Sequence, residues 1–190
     1  MFEALVKNTR SYRNFDKTVR CKKEDLLSLI ELCRYTPSTA NRQPLKFGYA
    51  FSDAACDKIF PLLGWAGYLT QKPPFPGNEP AAYILICYDT EIMQSAEVDV
   101  GICAQTVVLA AMEKGLGACM IGSFNKEKIA QIFSLPENIV PRLIIALGAP
   151  KEKIVLTDAV NGEIKYFRNS EGTHFVPKRP LAEILLPGID

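Results

Sequence analysis

The sequence predicts one domain that combines α-helices with β-strands. Its 190 residues are 48% apolar and 23% charged, which is enough to bury one substantial core and too little for two comfortable domains. Apolar residues recur at near-helical spacing from Leu26 to Cys33, whereas Ala81 to Tyr88 is a continuous apolar run typical of a buried strand. We therefore expect residues 1–190 to form a single domain of mixed secondary structure.

The other elements follow from periodicity and from capping residues. The pattern predicts strands over 47–51, 116–121 and 143–147, and Pro37 ends the helix that contains Leu26. Ser52 or Asp53 can cap a helix that begins there, and Asn125 can cap a helix over 126–133. Residues 95–114 are apolar on nearly all sides, which predicts a central or interface helix.

Two segments fall outside this regular pattern. Residues 72–80 contain four prolines and one glycine, which predicts a surface loop. Beyond Pro150 the core pattern weakens, but apolar residues such as Phe175 and Leu185 continue. We expect this tail to pack on another surface, and a second subunit is one possibility.

Composition excludes several classes of protein. A net charge of +1 provides no broad basic field for nucleic acid, and the apolar run Val100 to Met112 is too short to cross a membrane. The N-terminus lacks a secretory pattern. Six scattered cysteines favour reduced thiols and a cytoplasmic location. His174 is the only histidine, so we expect no metal site, and its polar surroundings predict a surface position.

A basic cluster near the N-terminus is the first candidate site. Residues 7–23 contain seven basic side chains and one acid, Asp16. Arg10 and Arg13 offer planar cations that match phosphate oxygens, and Ser11 can add a hydroxyl and a backbone donor. By itself, such a cluster is more often a solvated basic face.

The segment from Pro37 to Pro44 is the second candidate. It reads Pro-Ser-Thr-Ala-Asn-Arg-Gln-Pro, a rigid polar loop whose amides and hydroxyls could bind the edge of a flat heterocycle. An ordinary capping turn would have the same composition. Gly115-Leu116-Gly117 is not a dinucleotide fingerprint, because Met120 stands where the third glycine is needed.

Three ordered motifs closely resemble the nitroreductase family of FMN flavoproteins. They are Arg10-Ser11-Tyr12-Arg13-Asn14-Phe15, the Pro37–Pro44 segment, and Gly115-Leu116-Gly117-Ala118-Cys119-Met120-Ile121-Gly122. The tail Val176-Pro177-Lys178-Arg179 also resembles that family's ending. The likeness spans residues 5–186, and its order makes the basic cluster a specific signal.

The resemblance implies an α+β fold, a mixed sheet flanked by helices, in an intertwined homodimer with FMN at the subunit interface. Arg10, Ser11 and Arg13 would hold the phosphate and ribityl chain, with Lys178 or Arg179 closing over the phosphate. The partner subunit would supply Pro37, Ser38, Thr39 and Asn41 to the isoalloxazine. Met120, Ile121, Gly122 and Ser123 would line the ring near N5.

The resemblance also implies an activity. NADH or NADPH would reduce the flavin in a ping-pong cycle, and a nitroaromatic, quinone or related small molecule would then accept the electrons. The flavin would carry the chemistry, so no catalytic side chain is expected. Trp65, Tyr68 and Phe75 could wall the acceptor pocket, although ordinary packing is the commoner role of such residues.

Three positions depart from the family pattern. Thr9 stands where many members have another arginine, Leu45 replaces a common tryptophan, and Gly122 replaces an acidic residue of some members. Two alternatives stay open: a non-catalytic protein that binds FMN or senses redox state, and a thiol-based redox protein that uses Cys103 or Cys119. The apolar surroundings of these cysteines argue against the second.

Overall fold

The structure, a computed structural model, describes residues 2–189, and it confirms the α+β class. The helices are α1 (Phe2–Asn8), α2 (Lys23–Leu32), α3 (Asp53–Ile59), α4 (Glu97–Glu113), α5 (Lys126–Ile132) and α6 (Leu181–Ile184). The strands are β1 (Phe15–Asp16), β2 (Leu45–Ala50), β3 (Ala82–Asp89), β4 (Gly117–Ile121), β5 (Ile139–Pro150), β6 (Ile154–Asp158), β7 (Phe167–Arg168) and β8 (His174–Lys178). Across residues 2–189, every helix is too short or too polar to span a membrane.

The long strand β5 organises the main sheet. It pairs with β3, with β4 and, at its C-terminal end, with β1, while β2 extends the sheet beyond β3. These pairings are antiparallel, and a parallel bridge joins Ser11 to Ala118 of β4. A second sheet has the order β6-β8-β7, with β6 and β8 parallel.

The core lies on both faces of the main sheet. Ile84 and Ile86 of β3 belong to the cluster that α2 and α4 cover, whereas Tyr83 and Leu85 belong to the cluster that α3 and α5 cover. This division follows from the alternation of side chains along a strand. It explains why β3 is apolar throughout and why α4 is buried along most of its length.

The predicted caps are confirmed. The Ser52 hydroxyl accepts from the N–H of Ala55 at 3.3 Å, and Asn125 Oδ1 accepts from the N–H of Lys128 at 2.9 Å. The predicted strand over 143–147 is too short, because β5 runs from Ile139 to Pro150. Its extra residues pair with the end of β3 and with β1.

Two glycines allow the basic N-terminal motif to lie close against the sheet. A Cβ at Gly117 would stand 2.9 Å from the Tyr12 ring, and a Cβ at Gly148 would stand 2.9 Å from the Phe15 ring. Both contacts are closer than side chains tolerate, so each glycine leaves room for one aromatic residue. Gly117 therefore has a packing role, which agrees with the poor match of the Gly-Leu-Gly segment to a nucleotide fingerprint.

The first part of the tail packs on another part of the same chain, in agreement with the expectation that its apolar side chains cover a surface. Residues 154–178 form the second sheet, which contacts the chain's own N-terminal motif through Glu152 and its neighbours. The final segment differs, because its apolar side chains are exposed in the single chain: Leu181, Ile184, Leu185, Leu186 and Ile189. A second subunit as their packing surface stays a prediction.

Candidate functional site

The N-terminal motif and the tail enclose a cavity of about 340 Å³, which we call the clamp cavity. Its lining includes Arg10, Ser11, Arg13, Met120, His174 and Lys178. The structure thus brings together residues that lie more than 160 positions apart in the chain. Their side chains offer three cations and one hydroxyl, which is a donor set suited to an anionic oxygen group.

Short local contacts set the position of the N-terminal residues. Arg10 Nη2 donates to the carbonyl of Val6 at 2.9 Å, while Arg10 Nε is buried without a partner among the described residues. Burial lowers the pKa of Arg10 from its ordinary value, and Tyr12 opposes that shift. The Arg13 guanidinium stacks over the Tyr166 ring, 5.1 Å from its centre. An anion in the cavity would offset the cost of burying Arg10.

The two candidate cations of the tail point to different surroundings. Lys178 ends β8, opposite Asp158 of β6, and lines the clamp cavity. Arg179 instead forms an exposed ion pair with Glu183, with 2.8 Å between Nη1 and Oε2. Of the two, Lys178 is the residue that the structure brings to Arg10 and Arg13.

The polar loop of residues 37–44 lines a second cavity, of about 190 Å³. Ser38 Oγ donates to Asp99 Oδ2 at 2.5 Å, and Thr39 donates to Asp99 Oδ1 from its hydroxyl at 2.7 Å and from its N–H at 3.1 Å. Pro37 and Asn41 also line this cavity, which shares no lining residue with the clamp cavity. In a single chain, therefore, the loop and the clamp form separate sites.

Asp99 is an anchor that the sequence did not reveal. It lies in the first turn of α4 and is almost fully buried. Burial favours its neutral form, but the hydrogen bonds from Ser38 and Thr39 outweigh burial and lower its pKa. The sequence offered one weak signal, an acidic residue in a helix that is apolar along most of its length.

The segment Met120–Ser123 is only partly directed at the clamp cavity. Met120 lines it, whereas the Ile121 side chain is buried in the core beside α3 and α5. Gly122 has open space around it, since a Cβ there would meet only Leu143, at 4.0 Å. The carbonyl of Ser123 accepts from the N–H of Gly64 at 2.8 Å. Ile121 could therefore contact a ligand through its backbone alone.

The three aromatic residues proposed for an acceptor pocket do not share one cavity. Tyr68 and Phe75 line a cavity of about 330 Å³ that has Tyr166 in common with the clamp cavity. The rings of Tyr68 and Tyr166 are 5.0 Å apart. Trp65 instead packs with Phe60 against the core, at a ring separation of 6.1 Å.

Glu152 joins the two halves of the clamp cavity, and sequence inspection missed it. Its side chain is 2% exposed and forms an ion pair with Arg168. Its carboxylate also accepts from the backbone N–H groups of Arg13 and of Asn14, the latter at 3.1 Å. A charged glutamate in a polar tail has no distinctive sequence pattern, so only the fold reveals its role.

We predict that Glu152→Gln destabilises the protein by about 3 kcal/mol, because it leaves Arg168 buried without a counter-charge. Glu183→Gln, which removes the exposed partner of Arg179, should cost less than about 1 kcal/mol. Urea denaturation of both variants measures the two costs. Equal costs would contradict the assigned role of Glu152.

His174 corrects a prediction from the sequence. The expected surface histidine is fully buried, because β8 pairs with β6 and places its ring 5.3 Å from that of Tyr166. Its Nδ1 lies 3.9 Å from Glu152 Oε2, which is too far for a hydrogen bond. Burial lowers the pKa of His174 to about 4; Glu152 opposes this shift, whereas Arg13 and Arg168 add to it. The imidazole is therefore neutral at pH 7.

This pKa predicts an acid-sensitive fold. The folded-state pKa of about 4 lies below the ordinary value of 6.5, so unfolding takes up a proton between these values and stability falls as the pH falls through that window. Between roughly pH 7 and 4.5, the free energy of unfolding of the wild type should fall by about 2–3 kcal/mol more than that of His174→Gln. Urea denaturation at several pH values tests this, and parallel curves for the two proteins would contradict it.

The cysteines give mixed support to thiol chemistry. All six are free and buried. Burial raises the pKa of Cys119 to about 11, which disfavours the reactive thiolate. Cys103 differs, because hydrogen bonds with Cys33 and Thr36 favour its thiolate and lower its pKa from the ordinary value. The argument that apolar surroundings disfavour a redox-active thiol therefore holds for Cys119 and is weaker for Cys103.

Comparison with known proteins agrees with this fold. Residues 6–149 match the model of the nitroreductase family. YodC of Bacillus subtilis (strain 168), a candidate NAD(P)H nitroreductase by name, is 25% identical over 178 residues, which cover 76% of this chain and 87% of YodC. The FMN reductase (NADPH) of the same organism is 31% identical over only 64 residues, 33% of this chain and 26% of that protein.

A solved structure has a similar fold. A nitroreductase family protein from Clostridium difficile 630 superposes with a TM-score of 0.70 at 22% identity, covering 96% of this chain and 95% of that one. At this identity the likeness concerns the fold. The family match over three quarters of the sequence shows that the chain belongs to the nitroreductase family, and this membership supports an oxidoreductase.

Proposed function

We propose that this protein is an FMN-dependent oxidoreductase that uses NADH or NADPH to reduce a nitroaromatic, quinone or related small molecule. Donor and acceptor would bind in turn, as a ping-pong mechanism requires. The observation that carries the proposal is the clamp cavity, where Arg10, Arg13 and Lys178 converge beside the hydroxyl of Ser11.

The donor set of this cavity fits a phosphate monoester. Two guanidinium groups and one ammonium can each make charge-assisted hydrogen bonds to its oxygens. Arg10 Nε is already buried without a partner among residues 2–189, and such a donor is best satisfied by a ligand acceptor. Thr9 is neutral and adds no charge, and its hydroxyl already donates to the carbonyl of Leu5 at 2.7 Å. The clamp thus works with three cations.

FMN, when bound, would supply the hydride and electron transfer. The protein's own part is then to hold the phosphate, exclude water and leave one face of the ring open to both substrates. The B. subtilis relative named FMN reductase (NADPH) supports both the flavin and the nucleotide donor. YodC, a candidate NAD(P)H nitroreductase by name, also supports a nicotinamide nucleotide as the electron donor.

The proposal includes a homodimer in the cytoplasm, with one FMN-binding domain over residues 1–190. Two observations support the dimer: the loop of residues 37–44 lies outside the clamp cavity of its own chain, and the apolar side chains of residues 181–189 are exposed. In a dimer, the partner's copy of the loop would complete each flavin site. The tail would then gain the apolar surface that it lacks in one chain.

The first test is flavin uptake and reduction. The protein should be yellow as purified or should quench FMN fluorescence on mixing, and NADH or NADPH should bleach the bound flavin without oxygen. Failure to take up FMN would overturn the proposal. Bound flavin that neither nucleotide bleaches would instead favour a non-catalytic FMN-binding protein. A screen of acceptors with each donor would then identify the substrate class.

The second test concerns the phosphate grip. Arg10→Ala combined with Arg13→Ala, or Lys178→Ala alone, should weaken FMN binding at least tenfold, because each charge-assisted contact contributes about 1.5–3 kcal/mol. Arg179→Ala is the matched control and should leave affinity unchanged, since Arg179 pairs with Glu183. Fluorescence titration with FMN and with riboflavin, which lacks the phosphate, measures the effects. A similar loss with riboflavin would argue against a phosphate contact.

A further inference from the structure

His174 combines two properties that rarely occur together. It is fully buried, and neither ring nitrogen has a hydrogen-bond partner within the described part of the chain. The same residue lines the clamp cavity, together with Arg10, Ser11 and Lys178. The unpartnered imidazole therefore lies at the wall of the site that we propose for the flavin.

Packing alone does not account for this histidine. A buried donor or acceptor without a partner costs about 1–3 kcal/mol, and an aromatic hydrocarbon ring would fill the same space against Tyr166 without that cost. Buried polar groups in native proteins nearly always have partners, so an exception calls for a ligand, a water or an ion. Its position at the cavity wall favours a ligand.

The charges around the ring determine which nitrogen carries the proton. The titratable and charged groups that act on it are Glu152, Arg13 and Arg168, and the Tyr166 ring lies beside it at a tilt of 35°. Nδ1 faces the Glu152 carboxylate at 3.9 Å, and an ionised carboxylate can only accept a hydrogen bond. The neutral ring therefore keeps its proton on Nδ1, and Nε2 is left as an acceptor.

An acceptor nitrogen suits a hydroxyl and not a phosphate. Fully ionised phosphate oxygens carry lone pairs and would repel the lone pair of Nε2, whereas an alcohol can donate to it. The cations of the cavity already match the phosphate. The neutral imidazole thus supplies the complementary function, an acceptor for an uncharged polyol.

We infer that His174 Nε2 accepts a hydrogen bond from a hydroxyl group of the ribityl chain of the bound flavin. This inference rests on the proposed FMN function. It divides recognition of the ligand between Arg10, Arg13 and Lys178, which bind the phosphate, and His174, which binds the polyol.

Nuclear magnetic resonance can follow this contact directly, because the chain has a single histidine. In protein labelled with ¹⁵N-histidine, the ring resonances need no assignment to a position. Saturation with FMN should shift the Nε2 resonance as expected for an acceptor, while Nδ1 stays protonated. Unchanged ring resonances, or a protonated Nε2 in the complex, would overturn the inference. Because this measurement uses the wild type, it does not depend on the folding of a variant.

Ligand analogues separate a polyol contact from a structural effect. His174→Phe should weaken the binding of FMN and of riboflavin by the same factor, roughly tenfold. It should leave unchanged the binding of lumiflavin, which lacks the ribityl chain and binds more weakly. His174→Gln, whose amide oxygen can still accept, should restore most of the loss. Lys178→Ala should weaken the binding of FMN alone.

Each contrary outcome has a distinct meaning. If His174→Phe weakens the binding of lumiflavin by the same factor, His174 has a structural role and the inference is overturned. If it weakens the binding of FMN alone, the contact is with the phosphate and the inference is also overturned. If the wild type binds FMN and His174→Phe binds it equally well, the inference fails and the proposed function stands. If the wild type binds none of the three flavins, both fail.

Discussion

The buried carboxylate of Glu152 is the interaction on which the candidate site depends. It accepts from the backbone of Arg13 and Asn14 and forms an ion pair with Arg168. These partners come from the two ends of the chain, so one side chain joins the N-terminal motif to the tail. This connection therefore positions Arg10 and Lys178 at the same cavity.

The sheet provides the rigid surface against which this connection forms. Tyr12 and Phe15 pack on Gly117 and Gly148, and the bridge from Ser11 to Ala118 aligns the motif with β4. The basic residues between these contacts are therefore held by backbone pairing and close packing as well as by charge. Such support limits the entropy that ordering flexible arginine side chains around a ligand would cost.

Desolvation determines the chemical character of the cavity. Burial disfavours the charged form of Arg10 and of His174, but the outcomes differ. The guanidinium keeps its charge, because its ordinary pKa is far above neutrality. The imidazole loses its proton. The cavity thus combines permanent cations with one neutral acceptor, which is a suitable combination for a ligand that joins a phosphate to a polyol.

The sequence by itself determined the features that depend on neighbouring residues. Helix caps at Ser52 and Asn125, the buried strand β3 and the central helix α4 follow from local hydrogen bonding and hydrophobic periodicity, which act over a few residues. The ordered motifs likewise indicated the family and the basic cluster. Those signals were sufficient to predict the fold class and the N-terminal side of the clamp cavity.

Only the tertiary structure decided how distant residues meet. It selected Lys178 over Arg179 for the cavity, buried His174, anchored the polar loop on Asp99 and revealed Glu152. Each outcome depends on contacts across long stretches of chain, such as the 139 positions between Arg13 and Glu152. A polar side chain has the same sequence pattern whether solvent or a buried partner satisfies it, so its role is determined by what the fold places beside it.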